Sequence, residues 1–381
     1  MAAVRALALA AALSACASVP IGASAPSRHA SGAKLRFIGE QRLAWRQPFE
    51  GTVVGGLSGI DYSPRSGQWI MESDDRSEIN PARFYTALLD YDASAFRSVT
   101  LTGVHFFRQP DASLYPGTTT VAAAGGEVPD IETIRYDPVD DSVWYASEGD
   151  RKLGFHPFVR HAAADGRYLG TLPMPAMFRV WPEREYGVRN NLAFEGISFA
   201  PDGRSLWLGM EAPLYQDGPL PTPEQGAVTR ITQFDRDGRL LAQYAYPVDA
   251  IPQPPAPGKL ADNGVSEILA VDAQHLYAIE RSGAQDAAGN FSFHIRLYEM
   301  DVAGATDVSR LAALQGASHA PARKRLVLDF ATLPLPRIDN IEGMAWGARL
   351  ANGHDTLVLV SDDNFNQGEV TQLLLFEVVP D

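Results

Sequence analysis

The sequence predicts an all-β chain folded as a β-propeller of four-stranded blades, on three observations. One phrase returns five times: an acid or serine, a small residue, an aliphatic strand, a turn, a second aliphatic-aromatic strand and a closing acid. Repetition of one supersecondary unit is the signature of propellers and solenoids. The 33 glycines and 27 prolines supply the turns that many short strands require. Helical periodicity is nearly absent, and TDVSRLAALQ (306–315) is the only stretch fit for a helical turn or two.

The first 15 residues read as a secretory signal: Arg5, an apolar stretch from Ala6 to Leu13, and no length to span a bilayer. Leu13-Ser14-Ala15-Cys16 resembles the lipobox of bacterial lipoproteins, which implies cleavage before Cys16 and lipidation of this lone cysteine. An ordinary signal cleaved nearby is the alternative. Ala17 and Ser18 follow with no Asp, a pattern that resembles lipoproteins sent to the outer membrane, facing the periplasm. Residues 16–34, rich in Ser, Ala, Gly and Pro, read as a tether to a folded domain at 35–379. With no disulfide to staple it, that domain must be stabilised by its core.

The five copies are LSGIDYSPRSGQWIMESDD from Leu57, IETIRYDPVDDSVWYASEGD from Ile131, FEGISFAPDGRSLWLGME from Phe194, SEILAVDAQHLYAIER from Ser266 and IEGMAWGARLANGHDTLVLVSDDN from Ile341. Two further strand-like runs follow in each unit. In the third they are AVTRITQFD and RLLAQYAYPV around Arg236-Asp237-Gly238, a strong hairpin signal. Four antiparallel strands per unit make a propeller blade. The last unit lacks a fourth strand and KLRFIGEQRL near the start has no blade, so the termini are expected to pair and close the ring. The count is five blades, or six if a degenerate one occupies Val99 to Pro129. Unit starts at 58, 132, 195, 267 and 342 leave surplus length, assigned to loops at 109–129, 214–225, 251–257 and 303–322.

In a propeller the start of the innermost strand and the end of the next lie on one face. Acids recur at both places. Glu132, Glu195, Glu267 and Glu342 open their units, with Ser58 in the equivalent place; Asp74, Glu148, Glu211, Glu280 and Asp362 close the second strands. Units two and three agree to the residue, while unit one reads as one residue tighter, which puts Asp74 one past its aligned position. Asp130, Asn190, Asn191, Asp262, Asn263, Asp339 and Asn340 add oxygens from the interblade loops. So many carboxylates at one mouth require neutralisation, either by a hard cation such as Ca²⁺ or by arginines, since Arg76, Arg151 and Arg281 follow closing acids. Trp69, Trp144, Trp207 and Tyr277 are assigned to blade packing.

The net charge of −14 excludes nucleic acid as a partner and favours cations, or anions that arrive with one. There is no Gly-x-Ser-x-Gly elbow, no phosphate-cradling Gly-rich Lys-Ser/Thr loop and no zinc-spaced histidine set, and the only cysteine sits at the processed end.

GLSGIDYSPRSGQW with SDDR, NLAFEGISFAPDGRSLWLGMEAPL, and NIEGMAWG with LVLVSDDNF resemble the bacterial phytase-like family, labelled "esterase-like activity of phytase", over about Leu35 to Val379. The resemblance implies a secreted or periplasmic propeller linked to phosphoester hydrolysis, with no catalytic set to carry over. The Arg-His-Gly signature of histidine-acid phytases is missing, as are the specific motifs of metal-dependent propeller phytases.

Two functions follow. One is a Ca²⁺-supported phosphoester hydrolase: Asp74, Glu132, Glu148, Glu195, Glu211, Glu267, Glu280, Glu342 and Asp362 hold metal, Glu195 and Glu211 stand at the catalytic centre, and Arg76, Arg151 and Arg281 steady a phosphoryl group. Its ligand is a small phosphorylated anion. The other is a monomeric, non-catalytic propeller, anchored to the membrane by its lipid, that binds a cell-envelope ligand or protein partner. Fold alone does not decide between them.

Overall fold

The structure, a computed structural model, describes residue 29 and residues 31–380; the expected signal segment and Cys16 lie outside the described residues. Five four-stranded antiparallel sheets make up the fold. Blade 1 comprises Gly59–Tyr62, Trp69–Ser73, Arg83–Tyr91 and Phe96–Phe106, from the channel outward. Blade 2 comprises Ile131–Tyr136, Val143–Ser147, Phe158–Ala162 and Tyr168–Thr171. Blade 3 comprises Phe194–Phe199, Ser205–Met210, Ala227–Asp235 and Leu240–Val248. Blade 4 comprises Gly264–Ala270, His275–Gln285, Phe291–Asp301 and Arg323–Asp329. Blade 5 comprises Asn340–Trp346, Asp355–Asp362 and Gln372–Val379, and its outermost strand is the N-terminal Lys34–Arg42.

That closure is the one expected: Lys34 pairs with Val379 and Arg42 with Gln372, so the chain ends lock the ring. The innermost strand of each blade touches those of its two neighbours, which closes the five into a channel wall. Between every adjacent pair of blades lies one apolar core. Trp69, Trp144, Trp207 and Tyr277 are buried there, as packing residues should be. The inner strands approach closely where they carry glycine. A Cβ on Gly343 would lie 2.7 Å from the Ser58 carbonyl, and one on Gly196 would lie 2.6 Å from the Ile268 amide.

Two expectations are corrected. No sixth blade forms at 99–129: the fourth strand of blade 1 runs to Phe106, and the remainder is a loop carrying the helical turn Val121–Ala124. No helical turn forms at 306–315 either. Val308 and Leu314 bury against Ala245 of blade 3, the Val308 amide donates to the Gln243 carbonyl, and Asp307 accepts from the amides of Gln243 and Ser309. Docking onto a neighbouring strand outcompetes a short isolated helix. The tether also ends sooner than expected. His29 stacks on Trp346 at 3.7 Å and bonds Asp355, and the Gly32 amide donates to Glu299. Trp346 ends the inner strand that Asn340 and Glu342 begin, so the chain meets the propeller on the face away from the acids.

The acidic mouth as a candidate active site

Strand register decides where each acid points. In blades 2, 3 and 5 the inner strand carries a bulge one residue long, at Glu132, Glu195 and Glu342. A bulge re-aims a side chain and ends regular pairing, and here it turns each glutamate to the mouth. Across from the residue two before each bulge stands the closing acid: Glu148 donates its amide to the Asp130 carbonyl, Glu211 to Ala193, and Asp362 pairs with Asn340. Blade 1 keeps this spacing. The Asp74 amide donates to Gly56 and Glu72 pairs with Gly59, so Ser58 and Asp74 are 16 residues apart, as Glu132 and Glu148 are. Unit one is therefore not tighter, and Asp74 is in register.

Blade 4 breaks the pattern. Its bulge falls on Ser266, and Arg281 pairs with Gly264 where the other blades carry an acid. Glu267 and Glu280 are thus one position away from the mouth set. Glu267 occupies the place held by Gly59, Thr133, Gly196 and Gly343, and its carboxylate lies 2.6 Å from Arg135 Nη2. Arg135 also donates to the carbonyls of Ile60 at 2.6 Å and Ile268 at 3.2 Å. That guanidinium crosses the channel axis from blade 2 to blades 1 and 4. Burial pushes the Glu267 carboxyl up, Arg135 pulls it back, and it stands at about 8. Glu280 is satisfied elsewhere, by the Tyr246 hydroxyl at 2.9 Å, the Asp249 amide, Asn263 Nδ2 and Lys324.

The other predicted acids converge. Burial, reinforced by neighbouring carboxylates, raises Asp74, Glu132, Glu195 and Asp362 well above the carboxylate range. Glu148 and Glu342 are raised chiefly by burial. For Glu211 burial outweighs the Arg281 guanidinium, and for Asp130 burial and Glu148 outweigh Arg76. Two groups place one ligand oxygen per residue within 4.8 Å of each other: Asp130, Glu132 and Glu148, then Glu148, Glu195 and Glu211. Asp137, Asp140 and His161 form a third such group among the described residues, on the opposite face. There Asp137 is committed to Trp144 and Arg236, and Asp140 to Ser142.

Both neutralisers envisaged from the sequence can be weighed directly. Arg76 pairs with Asp150 and lies 3.4 Å from Asp130. Arg281 lies 2.9 Å from Glu211 and 3.5 Å from Glu342. Among the described residues no arginine, lysine or histidine forms an ion pair with Asp74, Glu132, Glu148, Glu195 or Asp362. The Glu148 carboxylate accepts from the Ala193 amide through Oε1, while Oε2 is buried without a hydrogen-bond donor. Arginine pairing thus covers part of the mouth only. The donor set that is left, all oxygen and rich in carboxylate, suits a hard divalent cation. Arg151 stays outside: its guanidinium is spent on the carbonyls of Trp181, Arg184, Tyr186 and Val188 and stacks on Tyr215.

Sequence reasoning missed Glu72. It lies in the second strand of blade 1, fully buried, with both oxygens unpartnered and its carboxyl raised well above the usual range by burial and by Asp74. Its signal was a lone acid inside the apolar run WIMES.

The family model described as "Phytase-like: Esterase-like activity of phytase" matches residues 52–365, which span every mouth acid from Asp74 to Asp362. No curated protein matches the chain. Among solved structures, a Leishmania mexicana mannose phosphorylase in complex with a phosphate ion aligns at 10% identity, covering 91% of this chain and 92% of that one, with a TM-score of 0.38. A Thermus thermophilus oxidoreductase (glucose dehydrogenase) aligns at 13% identity over 90% and 92%, with a TM-score of 0.36. A chain of the S. cerevisiae Dbp5 complex with Nup159, Gle1, IP6 and ADP aligns at 10% identity over 93% and 98%, with a TM-score of 0.35. At these TM-scores the likenesses carry nothing about chemistry.

Proposed function

The chain belongs to the phytase-like family, esterase-like activity of phytase, and from that premise we propose that its acidic mouth is the active site of a cation-supported phosphoester hydrolase. Family membership supports a phytase-like hydrolase in general terms; the cation, the substrate class and the residue roles are our reading. One observation carries it: among the described residues, Asp74, Glu132, Glu148, Glu195 and Asp362 form no ion pair with a basic side chain, while two arginines lean on the same cluster from either side.

A divalent cation such as Ca²⁺ would be held by Asp130, Glu132, Glu148, Glu195 and Glu211, and when bound it supplies Lewis acidity and lowers the pKa of bound water. Arg76 and Arg281 have spare donors for anionic oxygens and stabilise charge that builds on a phosphoryl group. Burial raises the Glu148 and Glu195 carboxyls in the cation-free protein, and cation binding would favour their ionised forms. Glu132, partly exposed at the mouth, lies with Asp130 and Glu148 as one of the oxygens that would hold the cation. Asp74, Glu342 and Asp362 extend the negative field that draws cations in.

The lipid anchor at Cys16 belongs to the same proposal. Because His29 and Gly32 contact the propeller on the face away from the acids, an anchored propeller would turn its mouth from the membrane. Cys16→Ala should release the protein from envelope membranes, and unchanged retention would remove this part.

The catalytic reading is tested with a phosphomonoester and phosphodiester panel, with Ca²⁺ and with chelator, on wild type and on Glu195→Gln combined with Glu211→Gln. Cation-dependent turnover that the double variant loses by about 100-fold or more is expected. Turnover that survives both chelator and the double variant refutes it.

A further inference from the structure

The mouth acids are not spread evenly round the ring, and their grouping has a count in it. The two oxygen groups share one member, Glu148. Asp130 and Glu132 complete the first group from blade 2. Glu195 and Glu211 complete the second from blade 3. Glu148 is 2% exposed, its Oε1 is fixed by the Ala193 amide of blade 3, and its Oε2 has no donor. A carboxylate held by one oxygen with the other orphaned is arranged to serve two neighbours at once.

The flanks limit the row. At the Asp130 end stands Arg76, 3.4 Å away; at the Glu211 end stands Arg281, 2.9 Å away. Past Glu211 the next blade presents Ser266 and Arg281 where acids would have to continue. A guanidinium in that place occupies the position of a further cation and closes the row at blade 4. Five ionised carboxylates and the two flanking guanidiniums sum to three negative charges, so two divalent cations leave one positive charge for an anionic ligand to meet.

We infer that the mouth holds two divalent, oxygen-seeking cations side by side, bridged by Glu148, with Asp130 and Glu132 completing one subsite and Glu195 and Glu211 the other. Paired cations of this kind clamp the attacking and leaving oxygens of an in-line phosphoryl displacement, so the ligand class is a phosphoester whose phosphoryl oxygens span both, with Arg76 and Arg281 at either end. This rests on the hydrolase reading for its chemistry alone; the cation count is decided by binding, so the two can fail separately.

The test is Ca²⁺ titration by calorimetry into the intact, chelator-treated protein, with Tb³⁺ luminescence as a second probe. Wild type should bind two equivalents. Glu132→Gln and Glu211→Gln should each retain one, and Glu148→Gln should weaken both by more than the roughly 10–100-fold that loss of an outer-sphere partner costs. Asp140→Asn, on the far face, should leave the count at two. Glu132→Gln and Glu148→Gln remove like-charge repulsion, so their thermal midpoints in chelator should equal or exceed that of wild type, and a cooperative melt in chelator shows that the Glu211→Gln and Asp140→Asn proteins are folded; this separates lost binding from lost folding. One equivalent in wild type, an Asp140→Asn protein that loses one, or a Glu148→Gln protein that loses only one, overturns the bridge. Two equivalents with no turnover would leave it standing and remove the hydrolase reading.

Discussion

Replacing Arg135 by Met removes the guanidinium that crosses the channel axis. Two penalties follow, and they differ in pH dependence. The carbonyls of Ile60, Ile134 and Ile268 each lose a donor, a constant cost of about 1 kcal/mol each. Glu267 loses the charge that holds its carboxyl down to about 8, so its folded pKa climbs further. A carboxyl raised in the folded state costs stability as pH rises from its unfolded value toward its folded one. In wild type that cost stops growing near pH 8; in the variant it continues. Between pH 7 and 9.5 the gap should widen by about 2 kcal/mol, at ~1.4 kcal/mol per pH unit beyond 8. For about 350 folded residues an unfolding entropy of roughly 2.1 cal/mol/K per residue turns this into about 3 °C. The assay is differential scanning calorimetry in chelator at pH 7, 8, 9 and 9.5. Asp61, raised to about 6 by burial and held down by the same guanidinium, adds to the widening, while carboxyls that do not face Arg135 titrate in both proteins and cancel in the difference. Adding Glu267→Gln should shrink the widening above pH 8 while leaving Ca²⁺ binding intact. A gap that does not widen, or Ca²⁺ binding abolished by Glu267→Gln, would refute the assignment of Glu267 to the axis.

Glu72→Met exchanges a buried, unpartnered carboxyl for an apolar group of similar size, and should raise the chelator-treated midpoint by about 1–4 °C, from roughly 1–3 kcal/mol; a fall would mean that Glu72 has a partner. The cation-free protein should lose thermal stability as pH rises from 5 to 8, because the mouth carboxyls bind more protons folded than unfolded. Saturating Ca²⁺ should flatten that slope, and a chelated protein that is steadily more stable toward pH 8 would contradict it. Deleting residues 29–42 uncovers the Gln372–Val379 edge and should abolish cooperative unfolding; a monomeric truncation that melts like wild type would show that closure is dispensable.

Much of this was legible in the sequence because a propeller repeats its grammar. The hairpins, the blade count and the terminal closure follow from strand runs and turn residues, and the mouth acids of blades 1, 2, 3 and 5 follow from the same phrase. Blade 4 was misplaced by one residue for a physical reason. A bulge adds one residue to one strand, and in Ser266-Glu267 either residue can be the added one on sequence alone; pairing chooses Ser266 and hands the mouth position to Arg281. Glu72 and Arg135 had a different signal, a charge inside an otherwise apolar or small-residue strand. What such a charge meets across the channel depends on other blades, which no local pattern encodes. The segment 306–315 misled because its apolar spacing serves docking on blade 3 as well as it would serve a helix.

The most direct test of the proposed cation-loaded mouth is a single titration of Ca²⁺ into the chelator-treated protein, with bound ion and phosphate release from a phosphomonoester read on the same sample. Turnover that rises in step with occupancy, and is absent before the first addition, is predicted. Full turnover before any cation is added, or saturation of the mouth with no phosphate released, would contradict it.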